Sequence, residues 1–212
     1  MKPKKVIFIL LTALLLFSAL TILVVTETTP IHNFNTALYS PVPGVVHPTL
    51  TSIATLIGSL THWYTYTPIV LILLIIPSTR WNAALPIGVT LLVSAIMGPI
   101  LLKNIFAIER PNINQLIDVG GFGYPSGHSM NAVVFFGMCT IMMFRFSQSK
   151  PLKSAFTVFA VIAILLVGIS RIYLGVHTVT DVIGGYLAGI VVICASVLIE
   201  PRIREKWFKA EK

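Results

Sequence analysis

Long apolar runs restrict what this chain can fold into. Residues 6–25 are almost entirely apolar, and about 20 such residues are what a helix needs to cross a bilayer. Similar runs recur along the chain, and only 10% of its 212 residues are charged, whereas a soluble domain carries about 25%. Its polar side chains are too few to cover a water-exposed surface. We therefore predict an integral membrane protein, with residues 1–212 forming a single domain.

Six segments have the length and composition of membrane spans: residues 6–25, 60–76, 83–106, 128–146, 154–173 and 178–199. No small-x-small cleavage site follows the first, so we expect it to be retained rather than removed as a signal peptide. Residues 27–60 contain several prolines, followed by apolar residues that recur at helical spacing. This pattern predicts a loop followed by a short interfacial helix. The predicted fold is all-α and polytopic, with six transmembrane helices and a short interfacial helix between the first two.

The basic residues predict how these spans are oriented. Six spans place both termini on one side, and twelve of the fifteen Lys and Arg residues lie on that side. By the positive-inside rule it faces the cytoplasm of a cell membrane. Because the bases are scattered between apolar runs, the net charge of +8 does not indicate a nucleic-acid partner. The exceptions, Lys103, Arg110 and Arg171, fall at the extracytoplasmic ends of helices, where a cation suggests function.

The three exceptional cations accompany other reactive side chains. Arg110-Pro111 follows Lys103 after six residues, Pro125-Ser126-Gly127-His128 begins the fourth span, and Ser170-Arg171 precedes His177 and Asp181. The six-helix arrangement brings these segments to one membrane face. We therefore predict an active site on the extracytoplasmic side.

The residue types suggest phosphoryl transfer. Asp181 lies four residues after His177, so its carboxylate can hold one imidazole nitrogen and leave the other free to attack. His128 can protonate a leaving oxygen as a general acid. The cations can neutralise phosphoryl oxygens, and the start of a helix at Ser126 and Gly127 favours an anion. No residues have metal-ligand spacing, so we expect neither a metal nor another cofactor.

These segments resemble the signature of the type-2 phosphatidic acid phosphatases, also called lipid phosphate phosphatases. The signature K-x6-R-P, P-S-G-H and S-R-x5-H-x3-D is matched throughout, over about residues 100–185. The resemblance implies a phosphohistidine intermediate on His177, with Asp181 as its orienting residue and His128 as the acid. It also implies phosphate binding by five residues and no metal: Lys103, Arg110, Ser126, Gly127 and Arg171. The layout is similar to that of small bacterial members of the family.

The resulting hypothesis is a hydrolase of membrane lipid phosphates, and several alternatives stay open. A phosphotransferase would pass the phosphoryl group to an acceptor other than water. A vanadium-dependent haloperoxidase shares the anion pocket but not the six apolar spans, and a transporter would carry polar groups through the midplane. Phosphatidylglycerol phosphate, undecaprenyl pyrophosphate, phosphatidate and diacylglycerol pyrophosphate are all possible substrates. The oligomeric state is undetermined.

The remaining polar residues have simpler interpretations. We interpret His32, His47 and His62 as surface or interface residues, and Glu109 as a local charge partner. Cys139 and Cys194 lie in apolar runs and are expected to pack there. The glycines of residues 120–123 suggest a flexible loop, and Asn131 could either line the pocket or pack. Gly98-Pro99 predicts a kink, and the glycines at 184, 185 and 189 predict close helix contact.

Overall fold

The structure is a computed structural model that describes residues 3–75, 85–111 and 114–208. Within these ranges the chain forms helices and connecting loops, and no strand. The principal helices, with one short 3-10 turn at Val42–Val45, are α1 (Pro3–Val25), α2 (Thr29–Tyr39), α3 (Pro48–Ser59), α4 (Trp63–Ile75), α5 (Leu85–Phe106), α6 (Gly127–Phe146), α7 (Lys150–Tyr173) and α8 (Val179–Phe208). The predicted all-α class is confirmed.

Five helices are long and apolar enough to cross a membrane: α1, α5, α6, α7 and the Val179–Glu200 part of α8. They coincide with five of the six predicted spans. The other predicted span, residues 60–76, corresponds to α4, whose described part has 13 residues and is shorter than a bilayer requires. Residues 76–84, which include its predicted end and the following loop, lie outside the described ranges.

The connection between α1 and α4 is more helical than predicted. A helix forms over Pro48–Ser59, as expected, but residues that we expected to be a loop form α2. Pro30 suits the first turn of α2. The helix is held by a distant contact, since the side-chain amide of Asn35 donates to Oγ1 of Thr180 at 2.9 Å and accepts from the backbone N–H of Thr180 at 3.1 Å. The spacing of apolar residues within residues 29–39 gives no indication of this contact, so α2 was not predicted.

Helix α6 lies at the centre of the bundle and packs against α5, α7 and α8. Its contact with α8 is close because glycines face it: a Cβ at Gly189 would lie 2.8 Å from Cβ of Val133. The predicted close contact of this helix is confirmed. Large apolar side chains are exposed along the outer surfaces of the spans, including Phe8, Leu15 and Leu165, as a lipid-facing surface requires.

The predicted irregularity at Gly98-Pro99 takes the form of a π-helical segment, Met97–Leu102, within α5. Pro99 has no N–H to donate, so a regular helical hydrogen bond is lost there. A π-helical turn changes the direction in which later side chains project. Lys103 directly follows this segment, so the irregularity helps set its direction toward the site.

Candidate active site

The predicted site residues come together at one end of the bundle. The end of α5, the start of α6, the end of α7 and the start of α8 meet there. The backbone N–H of Ser126 donates to the carbonyl of Asp181 at 2.9 Å, which joins α6 to α8. Arg110 contacts His177 from the loop after α5. Segments that are far apart in sequence therefore form one buried cluster.

His177 lies just before α8, two residues ahead of its first helical residue. Its Nδ1 is 3.4 Å from Oδ2 of Asp181, which is longer than a well-formed hydrogen bond. Both side chains are buried, with relative exposures of 2% and 3%. The carboxylate is fixed by the N–H of Thr178, which donates to Oδ2 at 2.8 Å. Asp181 is therefore placed to hold the Nδ1 side of the ring.

Arg110 determines which nitrogen of His177 carries the proton. Its Nη1 lies 3.2 Å from Nε2 of His177. A guanidinium only donates hydrogen bonds, so Nε2 must be the acceptor and the proton of the neutral ring is on Nδ1, facing Asp181. The lone pair of Nε2 consequently points toward the guanidinium of Arg110. This is the tautomer that a nucleophilic histidine needs.

The electrostatic surroundings keep His177 uncharged. Burial lowers its pKa to about 4, Asp181 acts in the opposite direction, and the positive charges of Lys103 and Arg110 lower the pKa further. Because this pKa is below the ordinary value of about 6.5, the ring is neutral from weakly acidic pH upward. His177 can therefore attack without first losing a proton.

The three exceptional cations are held by protein acceptors. Nζ of Lys103 donates to the carbonyl of Phe122 at 2.6 Å. In Arg171, which is 4% exposed, Nη2 donates to the carbonyl of Ala54 at 2.9 Å and Nε to Oγ of Ser170 at 3.2 Å. These bonds fix the cations in advance, which favours electrostatic stabilisation of a transition state.

Arg110 is held by the loop whose glycines predicted flexibility. Its guanidinium donates to the carbonyls of Gly120 and Gly121 at 3.1–3.2 Å and to the carbonyl of Val176 at 2.8 Å. Gly121 has φ 76, a left-handed conformation that glycine adopts readily. The loop therefore positions Arg110, and in this structure it presents carbonyls rather than N–H groups.

Ser126 caps α6 at its N-terminus. Its Oγ accepts from the N–H of Ser129 at 3.4 Å and from Oγ of Ser129 at 3.1 Å. A hydroxyl has two acceptor positions and one hydrogen, so the O–H of Ser126 remains able to donate to an anion. Gly127 and His128 begin the helix, where free N–H groups and the helix dipole favour negative charge.

The matched part of the chain identifies its family. A model of the PAP2 superfamily matches residues 82–205, a range that contains every predicted site residue. The chain belongs to the PAP2 superfamily. The resemblance seen in the sequence is confirmed.

Other proteins support this PAP2 assignment. Phosphatidylglycerophosphatase B of Bacillus subtilis is 41% identical over 92 residues, which are 42% of this chain and 45% of that protein's length. Undecaprenyl-diphosphatase of Sulfolobus acidocaldarius is 30% identical over 176 residues, or 79% of each chain. The crystal structure of a transmembrane PAP2-type phosphatidylglycerolphosphate phosphatase from Bacillus subtilis superposes with a TM-score of 0.80, at 25% identity, covering 92% of this chain and 96% of that one.

His62 lies closer to the predicted site than its sequence context indicated. We expected a surface or interface residue, and its ring centroid lies 6.0 Å from that of His128. It follows two α3 residues that support Arg171: Ala54 provides an acceptor, and Gly58 packs against the guanidinium. The spacing of four between residues 54, 58 and 62 was visible in the sequence, although α3 ends at Ser59 and His62 lies in the turn after it. Nothing in the local sequence indicated that these residues meet the site.

Other polar residues have assignable positions. A cavity of about 520 Å³ beside His177 is lined by residues including Glu27, His32 and Glu109, so Glu109 borders this cavity.

Two further polar residues have structural contacts. His47 caps α3, its Nδ1 accepting from the N–H of Thr49 at 3.2 Å. Asn131 accepts from Oγ of Ser94 at 2.6 Å and so links α6 to α5. Among the described residues, no three His, Cys, Asp or Glu side chains are grouped as a metal site.

The contact between Gly58 and Arg171 predicts a sensitive position. A Cβ at Gly58 would overlap the guanidinium of Arg171, so we expect Gly58→Ala to displace it and weaken binding of vanadate, a phosphate analogue, by about 10-fold or more. Binding is measured by calorimetry on purified protein. Gly44→Ala is the matched control, because no atom lies within 4 Å of a Cβ at that position. Equal vanadate affinity in both variants would contradict this role of Arg171.

Proposed function

We propose that this PAP2 protein is an integral membrane phosphatase that hydrolyses phosphate or diphosphate esters of membrane lipids through a phosphohistidine on His177. The observation that carries the proposal is the contact of 3.2 Å between Arg110 and Nε2 of His177. It presents a neutral nucleophile next to a fixed cation. The site has the groups for phosphoryl transfer without a metal, because three cations provide the positive charge.

In the first step, Nε2 of His177 attacks the phosphorus and a P–N bond forms while the bond from phosphorus to the lipid oxygen breaks. His128 gives its proton to that oxygen, so the dephosphorylated lipid leaves as an alcohol or, from a diphosphate, as a monophosphate. Asp181 stabilises the positive charge that develops on the His177 ring. Arg110, Lys103 and Arg171 bind the phosphoryl oxygens, together with the O–H of Ser126 and the N–H of Gly127.

In the second step, water attacks the phosphohistidine. His128, now neutral, takes a proton from the water as the new P–O bond forms and the P–N bond breaks. Inorganic phosphate leaves, and both histidines return to their starting protonation states. A phosphotransferase would differ only in placing another acceptor hydroxyl where this water lies.

The substrate class is a lipid phosphate, and we favour phosphatidylglycerol phosphate and undecaprenyl pyrophosphate over phosphatidate. The support is that two relatives are named phosphatidylglycerophosphatase B and undecaprenyl-diphosphatase. A lipid is favoured as the substrate because the site lies at the ends of apolar helices. A water-soluble ester would not require this setting.

A substrate panel tests the proposed function. Purified protein in detergent should release phosphate from at least one of these lipids in the presence of a chelator, and vanadate should inhibit the release. Vanadate can adopt the five-coordinate geometry of a phosphoryl group under attack by His177. Activity that a chelator abolishes and a divalent ion restores would contradict the proposal.

The two histidines should respond differently to the leaving group. We expect His128→Ala to slow hydrolysis of an alkyl phosphate by roughly 10²–10⁴-fold, the usual contribution of a general acid. The loss should be much smaller for an aryl phosphate, whose leaving oxygen needs no proton. His177→Ala is the comparison and should abolish both reactions. Equal losses of His128→Ala on the two substrates would argue against its role as the acid.

We also propose six spans, with α4 contributing to the second, both termini in the cytoplasm and the active site on the extracytoplasmic face of the cell membrane. The support is the distribution of basic residues, twelve on the cytoplasmic side against three on the other.

A labelling experiment tests this orientation. Gln115 and Gln148 are both exposed, in the loop after α5 and in the loop between α6 and α7. In intact cells, a membrane-impermeant thiol reagent should label Gln115→Cys and spare Gln148→Cys. The unsubstituted chain gives the background from Cys139 and Cys194, and the reverse pattern would overturn the orientation.

A groove between α4 and α5 suggests how the lipid reaches the site. It has a volume of about 330 Å³ and is lined mainly by apolar residues, among them Val70, Leu91 and Leu92. An acyl or isoprenoid tail could lie there while its phosphate reaches the cations. Each methylene kept out of water contributes about 0.8 kcal/mol, so much of the apparent affinity should come from the tail.

A chain-length series tests this route. For one phosphate headgroup at constant surface concentration in detergent, kcat/KM should rise with tail length and then level off. Gly88→Val should reduce this gain, because a Cβ at Gly88 would already lie 3.0 Å from Val70 and the added methyl groups narrow the groove. A short-chain soluble phosphate that is hydrolysed as efficiently as the long-chain lipid would refute lateral access.

A further inference from the structure

The segment between α3 and α4 brings a third histidine to the site. The rings of His62 and His128 have centroids 6.0 Å apart and are inclined by 58°. The backbone of His62 is fixed on both sides, since its N–H donates to Ser59 at 3.1 Å and its carbonyl accepts from Thr65 at 3.0 Å. Thr61, its neighbour, is 1% exposed. The position of the ring is therefore determined by ordered structure rather than by a free loop.

The helix before this segment, α3, supports one of the proposed phosphate-binding cations. Ala54 and Gly58 of α3 contact Arg171, and His62 follows them at the next interval of four residues. Residues of α3 therefore contact Arg171, a proposed phosphate ligand, and the turn after α3 places His62 beside His128, the proposed acid. His62 thus lies on the His128 side of the site, where the leaving group departs.

The surroundings of His128 create an electrostatic difficulty for a general acid. Burial disfavours the charged form of its ring, and so do the charged or titratable groups around it: Arg171 from α7, His177 from the start of α8, His62 from the α3–α4 connection when that ring is itself protonated, and Lys103 from α5. Arg171 and Lys103 are cations, and nearby positive charge disfavours an imidazolium. An acid must nevertheless be protonated before the leaving group departs. A neutral hydrogen-bond acceptor beside the ring would favour the protonated form without adding charge.

We propose that His62 is this acceptor and positions the proton of His128. A ring nitrogen of His62 accepts the second N–H of the His128 imidazolium, either after a small ring rotation or through one bridging water. Before attack, the two rings together carry one additional proton and therefore a single positive charge. His128 passes it to the leaving oxygen, the pair becomes neutral, and the proton that water releases in the second step restores it. His62 thus acts through His128, and this role rests on the proposed function.

The test uses pH profiles of kcat/KM for the enzyme, measured with an alkyl and an aryl phosphate. In His62→Phe, the alkaline limb for the alkyl phosphate should move to lower pH by about half to one unit, a loss of about 3- to 10-fold at pH values above that limb. The aryl phosphate should show little change. His62→Gln, whose amide oxygen also accepts, should retain most of the wild-type profile.

His47→Asn is the matched control, because it removes the histidine at the other end of α3 while asparagine can still cap that helix. Its profile should equal that of the wild type. A uniform loss in His62→Phe at every pH and for both substrates would indicate a structural role and overturn the inference, and so would an unmoved alkaline limb. A wild-type enzyme that hydrolyses neither of these substrates nor any of the proposed lipid phosphates would instead overturn the proposed function and, with it, this inference.

Discussion

The guanidinium of Arg110 connects two segments that are far apart in sequence, the loop after α5 and the residues just before α8. Its donors reach the loop at Gly120 and Gly121, the carbonyl of Val176 and Nε2 of His177. Because a guanidinium cannot accept a hydrogen bond, this single contact fixes the tautomer of His177. It also holds the loop between α5 and α6 against the start of α8. The ring of His177 and the loop at Gly120 and Gly121 therefore have positions that depend on one side chain.

The positive charge of the site is costly to the fold and useful to the proposed reaction. Burying cations in an apolar bundle carries a desolvation penalty that hydrogen bonds only partly offset. Lys103, Arg110 and Arg171 each donate to a backbone carbonyl, which gives them partners but does not neutralise them. A bound phosphoryl group would supply the missing negative charge. The same buried cations help to keep His177 neutral. The charges that are costly to bury therefore also favour the form of His177 that the proposed reaction needs.

The sequence predicted the parts of this protein that repeat a simple pattern. Apolar runs identified five spans at nearly their observed limits, because the bilayer requires a fixed length of apolar helix. Motif spacing identified the residues that meet at the site, because they all lie at helix ends on one side.

Predictions failed where a distant contact decides the local structure. Helix α2 depends on the pairing of Asn35 with Thr180, and His62 has its place through a contact with His128. Neither partner is near in sequence, and neither contact produces a local period. The composition of the glycine loop at residues 120–123 likewise does not reveal that the carbonyls of Gly120 and Gly121 hold Arg110.

The central claim is that phosphate is carried on His177 between the two chemical steps. The most direct measurement is to mix purified enzyme with an excess of aryl phosphate, quench in strong base, in which phosphohistidine survives, and locate the phosphate by mass spectrometry of peptides. The account predicts phosphate on His177 at Nε2 in the wild type, with no phosphopeptide from His177→Ala. Rapid turnover with phosphate on another residue, or with no phosphorylated enzyme at any time during the reaction, would contradict it.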